Sequence, residues 1–131
     1  MAELKYYVLP FSHGSVSLNS EQYAVVTSPL GENQRILASA GSGKTTTITA
    51  RIAYLLEHYE IRPQSILLAT FSRSAAHEMR ERVFRLSGPK PIYCGTFHAL
   101  SMCRYFAHRL QRWTSSCNDF VRAVRVPIGF Y

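Results

Sequence analysis

Apolar and polar positions change period several times along the chain, and each change marks an element. Residues 35–40, RILASA, form a compact apolar run that predicts a buried strand. From Gly43 onward Ile48, Ile52, Leu55, Leu56 and Tyr59 recur at helical spacing, which predicts an amphipathic helix stopping near Pro63. SILLATF is a second continuous apolar strand, of the kind found where helices cover both faces of a sheet. In SAAHEMRERVFRL the pattern turns Ala75, Ala76, Met79, Val83 and Leu86 inward and Arg80, Arg82 and Arg85 largely outward, until SGPKP breaks the helix. IYCG is a third, weaker strand, and a last helix from about Phe97 carries Ala99, Cys103, Phe106, Leu110 and Trp113 on one face. Upstream, SLNSEQYAVV begins a short helix capped by Asn19 or Ser20.

Strands alternating with helices predict an α/β fold in three layers with a mainly parallel sheet, because parallel neighbours need a crossover and the crossover is normally helical. Residues 1–17 read as a lead-in segment, a short aromatic and β-branched run broken at Pro10 and then a flexible SHGS. Residues 18–113 hold the domain, and 114–131 form an unassigned tail.

Between the first predicted strand and its helix lies ASAGSGKT, Ala38 to Thr45, which satisfies the phosphate-loop template in the form that admits alanine at the first position. Gly41 and Gly43 permit backbone conformations closed to other residues, so that the amides of Ala38, Ser39, Ala40, Gly41, Ser42 and Gly43 can converge on phosphate oxygens. The start of the following helix adds its positive dipole end. Lys44 would reach the β and γ phosphates of a nucleoside triphosphate, Thr45 would give a hydroxyl to magnesium, and Thr46 would stand beside them in the cradle.

Charge adds a second partner. The formal net charge is +7, but residues 1–72 balance five basic against five acidic groups, while residues 73–131 carry ten basic and three acidic. Twelve of the fifteen cations are arginine, which suits phosphate oxygens and can stack on bases, so a polyanion is the natural partner. The amino end is a poor secretory signal and no run approaches membrane-spanning length. Cys94, Cys103 and Cys117 form an odd set without paired spacing, which fits free thiols. The chain is therefore expected to be intracellular, in cytoplasm or nucleus, with no membrane partner. Cys94, His98, Cys103, His108 and Cys117 lack a close Cys-x-x-Cys pair, so no zinc site is expected.

Four stretches in order resemble the amino-terminal motor domain of superfamily 1 DNA helicases of the UvrD/Rep type, over about residues 18–106. LNSEQYAVV resembles the Q motif, ASAGSGKT the phosphate loop, ILLATFSRSAAHEMRERV motif Ia and GTFHALSMCRYF motif Ib. The resemblance implies a partial RecA-like P-loop domain, with Gln22 reading the adenine edge through an amide that both donates and accepts. It also implies single-stranded DNA contacts from Thr70, Phe71 and Arg73, and from Thr96, Phe97 and His98. Arg73 departs from the asparagine that many members carry. Translocation with 3'-5' polarity and a role in DNA repair follow from the resemblance alone.

Motors of that family also use an Asp-Glu pair at the end of a later strand, the aspartate for magnesium and the glutamate for the attacking water. The eight acids here are Glu3, Glu21, Glu32, Glu57, Glu60, Glu78, Glu81 and Asp119, and none follows an apolar strand downstream of the phosphate loop. The expectation is a fragment that binds ATP without hydrolysing it, with the remaining motor lobe possible as a partner from another chain. Its unpaired sheet edges predict a low unfolding midpoint and oligomers. The alternatives are a noncatalytic, nucleotide-dependent binding module and a small P-loop phosphotransferase.

Overall fold

The computed structural model describes residues 6–31 and 33–101. It opens with two strands, β1 (Tyr6–Phe11) and β2 (Gly14–Asn19), followed by helices α1 (Ser20–Thr27) and α2 (Lys44–Glu57). A single 3-10 turn, Pro63–Ser65, leads into β3 (Leu67–Thr70), then α3 (Arg73–Ser87) and β4 (Tyr93–Thr96). A further helical stretch runs over 97–101. The tail 114–131 and the predicted helical positions Cys103, Phe106, Leu110 and Trp113 lie outside the described residues.

The mixed α/β class holds, but the sheet is smaller than expected. Two ladders are present among the described residues: β1 with β2, antiparallel, and β3 with β4, parallel with Thr70 opposite Thr96. The predicted strand RILASA has no ladder partner there, and Leu37 is 78% exposed. A strand is defined by pairing as much as by its own residues, so an apolar run without a neighbour does not become one. The three-layer, mainly parallel sheet is thus reduced to one parallel pair.

The lead-in needs a correction as well. Tyr6–Asn19 is a β-hairpin closed by a two-residue turn at Ser12 and His13, with Phe11 opposite Gly14. Tyr7, Leu9 and Phe11 turn toward the protein while Tyr6, Val8 and Pro10 face out, the period-two signature of a half-covered strand. Pro10, which argued against a strand, is tolerated because β1 is an edge whose outward amide needs no partner. The turn is held down: Glu57 accepts the Ser12 amide and hydroxyl, and the His13 amide donates to the Leu86 carbonyl at 3.0 Å.

Two small cores form. Ile52 and Leu56 of α2 pack with Ile66, Leu68, Met79, Val83 and Ile92, while Leu18, Val26 and Ala50 close the space between hairpin, α1 and α2. The faces follow the predicted periods, with one exception on α3. Arg80 turns inward, because spacings of four, three and four place it on the same stripe as Ala76, Val83 and Ser87. Its Nη2 donates to the Cys94 carbonyl at 2.7 Å, so the stem packs while the head reaches a main-chain acceptor.

Arg51 ties α1 to α2 across the second core. Nη1 donates to the carbonyls of Val26 and Ser28, both at 2.7 Å, and Nη2 to that of Pro29 at 3.3 Å, satisfying acceptors at the carboxyl end of α1. Burial lowers the pKa of this guanidinium, with Tyr59 and Tyr54 acting in the opposite sense. Arg51→Met keeps the stem and removes the bonds. It is expected to lower the unfolding free energy by about 2 kcal/mol in chemical denaturation. A change under about 0.5 kcal/mol would mean that water serves those carbonyls equally well.

Candidate functional site

The loop from Ala38 to Thr45 is positioned from both sides by local sequence. Downstream, α2 starts at Lys44 behind Gly43, whose φ of 81° is left-handed, and Gly41 has a φ of 77°. Those two values require glycine at both positions. The Thr47 amide closes the first helical turn on the Gly43 carbonyl at 2.9 Å, and within the loop the Ser42 amide donates to the Ser39 carbonyl at 3.3 Å.

Upstream, Asn19 caps α1: its side chain accepts from the Gln22 amide at 2.8 Å, while the Gln22 side-chain oxygen accepts from the Asn19 amide at 3.0 Å. This reciprocal capping box fixes the Gln22 side chain. Its Nε2 then donates to the Ser42 carbonyl at 3.1 Å, so the amide braces the loop from the capping residue. A Cβ added to Gly43 would stand 2.7 Å from that nitrogen. Each half of the amide retains a second bonding capacity, one N–H and one lone pair.

The side chains of the loop are sorted by their bonds. Lys44 Nζ lies in the loop, donating to the Ala38 carbonyl at 2.8 Å and to that of Ser39. The Thr47 hydroxyl donates to the Gly43 carbonyl and that of Thr49 to the Thr45 carbonyl, both within the helix. The Thr46 hydroxyl accepts from Arg82 Nη1 at 3.5 Å. Among the described residues, the Thr45 hydroxyl alone of the four α2 threonines has no hydrogen-bond partner. One ammonium and one uncommitted hydroxyl on an exposed loop that leads into a helix N-terminus are groups suited to a polyphosphate and a hard cation.

At the strand ends the expected residues divide by role. Thr70 is buried and its hydroxyl donates to the Ser72 carbonyl at 2.9 Å; Thr96 accepts from the Ala99 amide at 3.2 Å. Both threonines therefore secure the turns that follow their strands. The residues after them do the opposite: Phe71 is 97% exposed and Phe97 is 74% exposed, with Arg73 and His98 also exposed. Pairing of Thr70 with Thr96 sets the two rings at neighbouring strand ends.

Three residues without a functional role in the sequence pattern now matter: Arg51, Arg80 and Arg82. Only the spacing of Glu78 and Arg82 was readable in advance, as an i,i+4 pair. Burial pushes the Cys94 thiol pKa up, and Arg80 opposes that shift. Among the described residues no three His, Cys, Asp or Glu side chains gather as a metal site, and no helix is long and apolar enough to cross a membrane.

Comparison with known proteins adds an independent line. The family described as UvrD/REP helicase N-terminal domain matches residues 18–122. The chain is 46% identical over 88 residues to the ATP-dependent DNA helicase PcrA of Staphylococcus aureus (strain Mu50), covering 66% of this chain and 12% of that protein. It is 45% identical over 91 residues to the YjcD protein of Bacillus subtilis (strain 168), again 66% of this chain and 12% of the relative. The chain thus spans a small part of the length of the relatives it matches.

Proposed function

The chain belongs to the UvrD/REP helicase N-terminal domain family, and from that membership we propose that it is the ATP-binding, strand-gripping front part of an ATP-dependent DNA helicase or translocase. The observation that carries this reading is the loop from Ala38 to Thr45, with left-handed glycines at 41 and 43, the Lys44 ammonium inside it and an uncommitted Thr45 hydroxyl. Main-chain amides of the loop and the first turn of α2 would hold the phosphates, and Lys44 would exchange its carbonyl partners for phosphate oxygens. Thr45 would hold magnesium, which when bound neutralises phosphate charge. Gln22 would meet the adenine edge with the bonding capacity its brace leaves over. Phe71 and Phe97 would stack on bases of single-stranded DNA, with Arg73 and His98 beside them on the phosphate track.

We infer further that these 131 residues bind ATP without splitting it. The sequence offers no Asp-Glu pair, and positioning and charge stabilisation at the transferring phosphoryl are nearly all of phosphoryl-transfer catalysis. Polarity of movement and a second motor lobe from another chain belong to the same proposal.

Titration calorimetry with ATP and magnesium, followed by a phosphate-release assay, tests the first part: binding is expected and release above buffer is not. Brisk unaided turnover, or phosphate transfer to a small acceptor, would reject it. For the strand, log affinity against log salt should fall with a slope of roughly −2 to −3, as for three or four neutralised phosphates. A flat response would remove the DNA track.

A further inference from the structure

We propose that Arg82 is a positioning residue that couples the two halves of the site: anchored by Glu78, it braces the Thr46 hydroxyl at the start of α2 and so joins α3 to the phosphate loop. The inference rests on the nucleotide and strand reading above and goes beyond it. Glu78 Oε1 accepts both Nε of Arg82, at 3.1 Å, and Nη2, at 2.6 Å. Two of the three guanidinium nitrogens are thereby fixed on one carboxylate oxygen, and the planar fork aims the third, Nη1, at Thr46 Oγ1, 3.5 Å away. Of the three α2 threonine hydroxyls that have partners, those of Thr47 and Thr49 return to their own helix; that of Thr46 meets another element.

As a stabilising device the ion pair is weak, since its side chains are 40% and 60% exposed and an exposed i,i+4 pair is worth about 0.3–0.5 kcal/mol. Its geometry is specific all the same, because α3 is fastened to both strand ends that lead into the exposed rings. Ser72 caps α3 by accepting from the Ala75 amide at 3.2 Å, and its carbonyl holds Thr70, so the helix begins directly behind Phe71. Arg80 holds the Cys94 carbonyl on β4, the strand that ends before Phe97. A shift of the first turn of α2 on binding phosphates would therefore reach α3 through Thr46 and Arg82, and α3 carries both strand ends with it. By linkage, a strand on the rings would alter nucleotide affinity by the same factor.

The test is fluorescence anisotropy of a labelled oligothymidylate on the full chain, with and without a non-hydrolysable ATP analogue and magnesium. In the unaltered protein the analogue should change the strand Kd by about fivefold or more, and in Arg82→Gln by less than about twofold. Each separate affinity, strand alone and analogue alone, should stay within about threefold of the unaltered value. Glu78→Gln, which keeps the guanidinium and weakens its anchor, should give an intermediate shift, and it carries the test if Arg82→Gln fails to fold. An undiminished shift in a folded variant overturns the proposal. So does a tenfold loss of either separate affinity, which would make Arg82 an ordinary contact or packing residue, or an unaltered protein that binds both ligands without any shift. An unaltered protein that binds neither ligand rejects the functional reading itself, and the coupling with it.

Discussion

Lys44→Ala is expected to lower the affinity for ATP and magnesium by about a hundredfold while leaving the fold and the salt-sensitive strand affinity in place. The ammonium is already inside the loop, on the Ala38 and Ser39 carbonyls, so no part of the side chain has to be recruited from solvent when phosphates arrive. Its loss removes charge-assisted bonds worth about 2–3 kcal/mol to the phosphates, and each 1.4 kcal/mol is tenfold. Stability should hardly move, because alanine is the best helix former and Lys44 is the first residue of α2. Lys44→Arg should not restore binding, since a planar fork cannot stand in for a compact ammonium in a loop of this size. Calorimetry reads the affinity and a thermal melt reads the fold. Affinity within about threefold of the unaltered protein would show that the main-chain nitrogens alone hold the ligand, and joint loss of nucleotide, strand and melting transition would show damage to the fold instead.

What could be read from the sequence was whatever depends on neighbours along the chain. The helical periods of α2 and α3 and a cap at Asn19 or Ser20 were legible because spacing and short-range bonds decide them, and the structure selects Asn19. The backbone of residues 38–45 was legible for the same reason: glycine at 41 and 43 states a conformational requirement in residue letters, and both positions have the positive φ. RILASA forms no ladder among the described residues although it is apolar, because apolar character does not report whether a partner strand lies beside it. Pro10 hides the hairpin, because a proline is compatible with a strand only at an edge and edge position is set by distant neighbours. Arg51, Arg80 and Arg82 act on carbonyls and a hydroxyl 14 to 36 residues away, and no local pattern encodes such a contact. Exposure was illegible for a related reason: Phe71 and Phe97 follow strands whose apolar run would equally suit a core residue.

That ambiguity makes the second large effect a sharp one. Phe71→Ala with Phe97→Ala is expected to lower single-stranded DNA affinity by about a hundredfold or more, each substitution alone by about tenfold, since a base on an aromatic ring is worth about 1–3 kcal/mol. Buried phenylalanines would cost about 3–5 kcal/mol of stability on truncation. At 97% and 74% exposure these two should cost under about 0.5 kcal/mol, so affinity and stability separate in one pair of measurements. Roots on neighbouring strands, on the order of 5 Å apart, suit rings that take bases close together along one strand. The same experiment distinguishes stacking from charge. The salt slope should survive loss of the rings, whereas Arg73→Ala should reduce it by about 0.7, the share of one phosphate on a single strand. If the doubly substituted protein bound oligothymidylate as tightly as the unaltered one, the exposed rings would have no part in gripping DNA. A lowered slope in that protein would instead mean that the rings set the arginine's position and do not carry the bases.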